Sequence, residues 1–301
     1  MAGRARGTRQ APPPYSIVAP ERQLAPVIYS SPHSGDFYPP DLVEASGLAT
    51  AALRKSEDSF VDELFVAAPE HGSPLLRARY ARVYLDANRE PWELDPGMFE
   101  DELPSHVNTT SLRVAGGLGT IARVVADGQA VYRRRLRFAE AESRVFGIYY
   151  PYHQALSDLI AATRRTFGYC LLIDCHSMPS SGGPMDRDEG RRRADVVLGD
   201  RFGTTCAPEL TDCVHRQLAD EGLVVMRNNP YAGGFTTYNY GRPGGGVHAL
   251  QIELNRALYM DEGRLAHGPG FAEMQAVMAR LIEAIRRLAP EFFENLDAAA
   301  E

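Results

Sequence analysis

The stretch Leu171-Leu-Ile-Asp-Cys-His-Ser-Met-Pro179 constrains the chain more than any other. A short apolar run there stops abruptly on Asp174, Cys175, His176 and Ser177, after a helical pattern that ends at Gly168. Such a run reads as a buried strand. A histidine just past the end of a buried strand faces the crevice where open α/β sheets bind ligands. Two further stretches share this construction. Val27-Ile-Tyr-Ser-Ser-Pro-His33 delivers His33, and Val247-His-Ala-Leu-Gln-Ile-Glu-Leu254 carries Glu253 inside an apolar strand. Two histidines and a carboxylate at strand ends are able to meet at one point.

Strands that alternate with helical patterns predict an α/β fold: one domain with a mixed, mostly parallel sheet flanked by helices. The length of 301 residues and a hydrophobic fraction of 44% provide for one sizeable core. A net charge of −7 excludes the basic footprint of a nucleic-acid binder. No stretch reaches the ~18 apolar residues of a membrane span. Lys55 is the only lysine, which removes most lysine-based mechanisms. Cys170, Cys175, Cys206 and Cys213 form no Cys-x-x-Cys pair and read as buried thiols of a reducing, cytoplasmic compartment. Residues 1–20 are Pro-rich and read as a disordered tail, 21–290 as the domain, and 291–301 as a C-terminal tail.

Between the strands lie further candidates. A helix is expected from Ser56, with Asp58 and Asp62 one turn apart beside the apolar stripe Phe60, Val61, Leu64, Phe65 and Ala68. A carboxylate bordering a buried face needs a partner. Leu75 to Ala87 reads as two strand pieces, which places Asn88 and Arg89 at a strand end, suited to a substrate carboxylate. Gly116-Gly-Leu-Gly119 lacks a phosphate-loop pattern and reads as a loop of close approach lining a pocket. Residues 140–166 read as two helices broken near Gly147 and Pro151, with His153 structural. The Gly- and Tyr-rich residues 228–246 have almost no periodicity and read as a functional loop, with Arg242 as a second anion binder. Phe271 to Leu288 reads as a packing helix.

Two imidazoles and one carboxylate make an open catalytic zinc set. Glu253, approaching from another strand, suits a proton carrier better than a ligand. A serine hydrolase finds no support, because no Gly-x-Ser-x-Gly elbow exists.

Seven motifs in order then resemble one family: Ser31-Pro-His-Ser-Gly35, Asp58-x-x-x-Asp62, Asp86-Ala-Asn-Arg-Glu-Pro91, Tyr149-Tyr-Pro-Tyr-His153, Asp174-Cys-His-Ser177, Tyr240-Gly-Arg-Pro243 and Val247-His-Ala-Leu-Gln-Ile-Glu253. Together they resemble the N-formylglutamate amidohydrolases, over about residues 25 to 288. The resemblance implies a fold like that of the zinc carboxypeptidases and aspartoacylases. It implies hydrolysis of a small N-acyl amino acid, N-formyl-L-glutamate, to formate and glutamate in histidine degradation. It implies zinc ligation by His33, His176 and Asp58, with Asp36 as the alternative third ligand. Glu253 becomes the general base, and Asn88 with Arg89 holds the substrate carboxylate. A broader N-acyl amino acid deacylase, a carboxypeptidase-like hydrolase and a non-catalytic binding protein on the same fold remain the alternatives.

Overall fold

The computed structural model describes residues 11–125, 128–183, 186 and 188–288. The expected C-terminal tail, 291–301, lies outside the described residues, as does the first half of the expected N-terminal tail. The second half of that tail is not irregular. Tyr15–Val18 forms strand β1, antiparallel to the edge of the main sheet.

That sheet has seven strands: β1, β2 (Val27–Ser31), β3 (Leu75–Ala78), β4 (Cys170–Met178), β5 (Val196–Gly199), β6 (Val225–Arg227) and β7 (Val247–Asn255), in the order β1-β3-β2-β4-β7-β5-β6. The central four, β3, β2, β4 and β7, are mutually parallel, whereas β5 runs antiparallel to β7. The mixed, mostly parallel sheet of the sequence reading is therefore present.

β2, β4 and β7 are buried along their whole length, which is why they read as continuous apolar runs. Leu171, Ile173 and Cys175 face one core, under helices α1 (Val61–Leu64), α3 (Pro208–Asp220) and α5 (Phe271–Arg286). Cys170 and Leu172, with Val247 and Ala249, face the other, under α2 (Tyr150–Phe167) through Tyr152, Leu156 and Ile160. Gly168 ends α2 at φ +87°, where a glycine carries no steric penalty. The break expected near Gly147 is a π-helical turn, Val145–Tyr149, that feeds directly into α2.

Four local expectations need correction. β4 continues through Met178, so His176 lies inside the strand instead of past its end. The helix expected from Ser56 is confined to Val61–Leu64. Phe60 is left-handed at φ +67°, and the Asp58 N–H donates to the His33 carbonyl, so no helical turn forms across Asp58. Residues 81–85 alternate buried and open like a strand, yet the Tyr84 N–H bonds back to the Ala81 carbonyl and closes a turn. Asn88 and Arg89 thus sit on a loop beyond β3. Finally, the loop 228–246 contains a short helix, α4 (Phe235–Tyr240).

Gly35 is where the His33 loop meets the chain leaving β3. A Cβ there would stand 2.2 Å from the Tyr80 carbonyl oxygen, a backbone atom that cannot rotate away. Gly35→Ala is expected to destabilise the protein by ~1–3 kcal/mol, the usual cost of overpacking. Urea unfolding reads this directly, and an unchanged midpoint would contradict the packing described.

Candidate active site

Because the four central strands are parallel, their C-terminal ends lie at one edge of the sheet. β2 leads to His33. β3 leads to Arg82, Asp86, Asn88 and Arg89. β4 carries Asp174 and His176 near its end, and β7 carries Gln251 and Glu253 before Arg256. The register pairs His176 with Glu253 and Asp174 with Gln251. By the two-residue period of a strand, these side chains share the face that α2 covers further back, at Cys170 and Leu172. Beyond that cover lies a cavity of about 430 Å³, lined by His33, Asp86, Asn88, Arg89, His176 and Glu253 among others.

At its base the two imidazoles stand 4.7 Å apart, centroid to centroid. His33 Nε2 lies 2.7 Å from Asp86 Oδ1, and His176 Nε2 lies 3.0 Å from Asp174 Oδ2. An ionised carboxylate only accepts, so His33 Nε2 carries the proton, while at His176 the Asn88 Nδ2 also stands 2.9 Å from Nε2 beside Asp174. That leaves the two Nδ1 atoms facing Asp58, whose Oδ2 is 3.4 Å from His33 Nδ1 and 3.0 Å from His176 Nδ1. His33 Nδ1 is buried without a hydrogen-bond partner. His33, Asp58 and His176 thus present three donor atoms within 4.8 Å of one another, all from buried side chains. Histidines whose far nitrogen is held by a carboxylate are the usual form of metal-ligating imidazole. The orphaned Nδ1 and this donor chemistry fit a divalent metal ion.

The charges around Asp58 balance. Its Oδ1 accepts from Arg256 Nη2 at 3.0 Å and lies 3.6 Å from Arg82 Nη1. Burial opposes ionisation of Asp58, but the hydrogen bond from His176 and the nearby His33 imidazole and Arg82 guanidinium outweigh it and hold the carboxyl well below the usual range. Asp86 behaves alike: burial is outweighed by Arg89, His33 and Arg82. For His176, burial is outweighed by Asp174 and Asp58, which raise its pKa well above the ordinary value. Occupation of Nδ1 by a cation requires loss of the proton there.

Glu253 Oε1 accepts from Gln251 Nε2 at 2.9 Å, and Gln251 Oε1 accepts from the Gly234 N–H at 2.8 Å. Burial, with Asp58 and Asp174 nearby, pushes the Glu253 carboxyl up to about 7 against the pull of His176 and Arg82. Arg89 also lines the cavity. Its Nε donates to the Leu118 carbonyl and Nη1 to the Asn88 carbonyl. Burial, more than the Arg113 and Arg82 charges beside it, brings its pKa down to about 10.

Asn88 lines the cavity as well, but both ends of its amide meet protein. Oδ1 accepts from the Thr236 N–H at 2.7 Å, and Nδ2 donates to Asp174 Oδ2 at 3.1 Å. Asp36 is exposed and borders a different depression, together with Asp62, which pairs with Arg77 at 3.5 Å. Asp58, and not Asp36, stands beside the two histidines.

Arg242 is not part of the cavity and corrects the expectation of a second anion binder there. It is exposed, donates to the Tyr238 and Gly241 carbonyls, and is bridged to Val247 at the start of β7. Six residues of strand separate Val247 from Glu253, roughly 20 Å at ~3.3 Å per residue. The first part of the same loop, Pro230 to Gly234, does line the cavity, as does Gly119 of the glycine-rich loop.

Asp86, Asp174, Arg82, Arg113, Gln251 and Arg256 went unassigned in the sequence. Asp86 and Asp174 stand in motifs already singled out, each two residues from an assigned side chain, and that adjacency was their only signal. Arg82, Arg113 and Arg256 carried none, among 31 arginines by subtraction of the single lysine from 32 Lys+Arg.

A model of the N-formylglutamate amidohydrolase family matches residues 25–260. An N-formylglutamate deformylase of Pseudomonas aeruginosa is 30% identical, over 89% of this chain and 96% of its own. One of Pseudomonas putida is 26% identical, over 90% and 96%. The crystal structure of an N-formylglutamate amidohydrolase from Ralstonia eutropha superposes with a TM-score of 0.85 at 37% identity, covering 94% of this chain and 99% of that one. A protein of Agrobacterium tumefaciens, at 19% identity and a TM-score of 0.60, shares the fold. Matched over most of its length by family model, sequence and structure alike, the chain belongs to the N-formylglutamate amidohydrolase family.

Proposed function

We propose that this chain hydrolyses the formyl amide of N-formyl-L-glutamate to formate and L-glutamate, a step of histidine degradation in the cytoplasm. His33, Asp58 and His176 hold a divalent ion, zinc by preference for two imidazoles and one carboxylate. The observation that carries the reading is the orphaned His33 Nδ1, facing Asp58 and His176 Nδ1 within one donor triangle at the floor of the cavity. The relatives' names supply the substrate. The four free cysteines suit a reducing compartment. Among the described residues no helix is long and apolar enough to cross a membrane.

A bound ion would supply Lewis-acid polarisation and a lowered pKa for water. This chain's own residues do the rest. Asp86 and Asp174 orient the two imidazoles through their Nε2 atoms. Arg256 occupies Asp58 Oδ1 and leaves Oδ2 for ligation. Glu253, poised near neutrality, takes a proton from the attacking water and returns it to the leaving amine nitrogen as the C–N bond breaks. The Gln251 amide holds Glu253 in place for both transfers. Arg89 binds the α-carboxylate with the guanidinium hydrogens left over from Leu118 and Asn88. Asn88, expected beside it as a second donor, is committed to Asp174 and Thr236 and acts by holding that pair.

Metal analysis of purified protein should find about one divalent ion per chain, and His176→Ala should lose most of it. Full metal content in that variant would remove the site. Glu253→Gln should keep the metal and bind substrate normally while kcat falls by ~10²–10⁴. Turnover close to wild type would move the proton transfer to another group. Arg89→Lys loses the planar fork and should raise KM more than it lowers kcat. Unchanged kinetics would sink the carboxylate contact.

A further inference from the structure

Among the described residues, four arginines line the cavity: Arg82, Arg89, Arg113 and Arg256. Three are held by hydrogen bonds to the protein. Arg82 bonds Asp86 at 3.0 Å, Arg256 bonds Asp58 and Ser177, and Arg89 bonds the Leu118 and Asn88 carbonyls. The Arg113 guanidinium has no hydrogen bond or ion pair among the described residues. It is half-buried on a one-turn helix, Leu112–Ala115, whose start is capped by the Ser111 hydroxyl on the Val114 N–H. The Leu118 N–H donates to the Arg113 carbonyl at 2.8 Å, and the Leu118 carbonyl accepts from Arg89 Nε at 3.0 Å. One residue, Leu118, thus ties the Arg113 backbone to the Arg89 side chain. Gly119 keeps the loop pressed down, since a Cβ there would lie 2.2 Å from the Glu93 carbonyl oxygen.

Two guanidiniums held near each other over one cavity repel unless an anion lies between them. A ligand with two carboxylates satisfies both, one on the fixed Arg89 and one on the uncommitted Arg113. We infer that Arg113 is the specificity-determining residue that reads the side-chain carboxylate of a dianionic N-acyl amino acid. This rests on the amidohydrolase reading above and assigns to Arg113 the role that Arg242 is too distant to fill. It makes the loop 111–125 the specificity element of the cavity.

The test compares kcat/KM for N-formyl-L-glutamate and N-formyl-L-glutamine, a neutral substrate of the same shape, in wild type, Arg113→Gln and Arg113→Lys. Wild type should prefer the acid by at least about tenfold, the effect of one charge-assisted hydrogen bond. Arg113→Gln should cut that ratio roughly tenfold to hundredfold, mostly through KM, and Arg113→Lys should retain part of it. Equal rates on both substrates in wild type, or an unchanged ratio in Arg113→Gln, would overturn the assignment. An equal loss on both substrates means a structural role and also overturns it. Calorimetric binding of glutarate to wild type and Arg113→Gln separates the two levels of inference. If wild type turned over neither formyl amide yet bound glutarate through Arg113, the proposed reaction would fail while the dianion site stood. Glutarate binding unaffected by Arg113→Gln would count against the site itself.

Discussion

Asp58 is a carboxylate at 1% exposure whose neighbours favour its ionised form, and the arrangement of the two histidines depends on those neighbours. A buried charge without partners is costly enough that such groups usually neutralise instead. Here the partners come from four distant parts of the chain: His33 after β2, Arg82 after β3, His176 on β4 and Arg256 after β7. The Asp58 N–H also bonds the His33 carbonyl, so backbone and side chain hold the same loop. Removing one partner from a buried ionic cluster typically costs ~3–5 kcal/mol, because the charge left behind stays buried. The cluster is therefore a stability constraint as well as a functional one. It is satisfied only when all four strand ends arrive together.

The sheet makes that arrival possible through parallel pairing. Parallel neighbours bring the same end of each strand to one edge, and the β4–β7 register sets His176 beside Glu253 with no loop to position either. The same face of the same two strands performs two tasks. At Cys170, Leu172, Val247 and Ala249 it packs under α2, and at His176, Gln251 and Glu253 it opens to the cavity. Rigid burial of the first half aims the second half. Each imidazole is then locked by a carboxylate on its far nitrogen, so the nitrogens that face Asp58 need no reorganisation to ligate. Loops finish the site. Gly234 donates to Gln251, Thr236 holds Asn88, and Leu118 holds Arg89. Each supports a side chain borne on another element, so loop mobility would be felt at the cavity.

How much of this was legible before folding depends on how local the signal is. The buried strands were legible because burial on both faces leaves an uninterrupted apolar run, and His176 and Glu253 were conspicuous as breaks in such runs. His33 was conspicuous for the same reason, directly after Pro32. The helix across Asp58 and the strand across 81–86 were misread because each has the right apolar period but a backbone that turns. At Asp58 the turn comes from a bond to the His33 carbonyl and a left-handed Phe60, and neither leaves a mark in the pattern of residues.

The amino-acid sequence by itself determined the α/β class, the apolar strands, the two histidines and the glutamate, because these follow from side-chain period and polarity within a few residues. It also carried the family motifs in order. Only the tertiary structure decided which loop residues reach the cavity. Asp58 joins the cavity-lining His33 and His176, whereas Asp36 borders a different depression. Arg113 reaches it and Arg242 does not, because Arg242 is bridged to the start of β7 while the cavity lies at its end. A loop side chain is placed by the long-range pairing of the strands on either side of it, and no local pattern of residues records which end of the sheet that pairing selects.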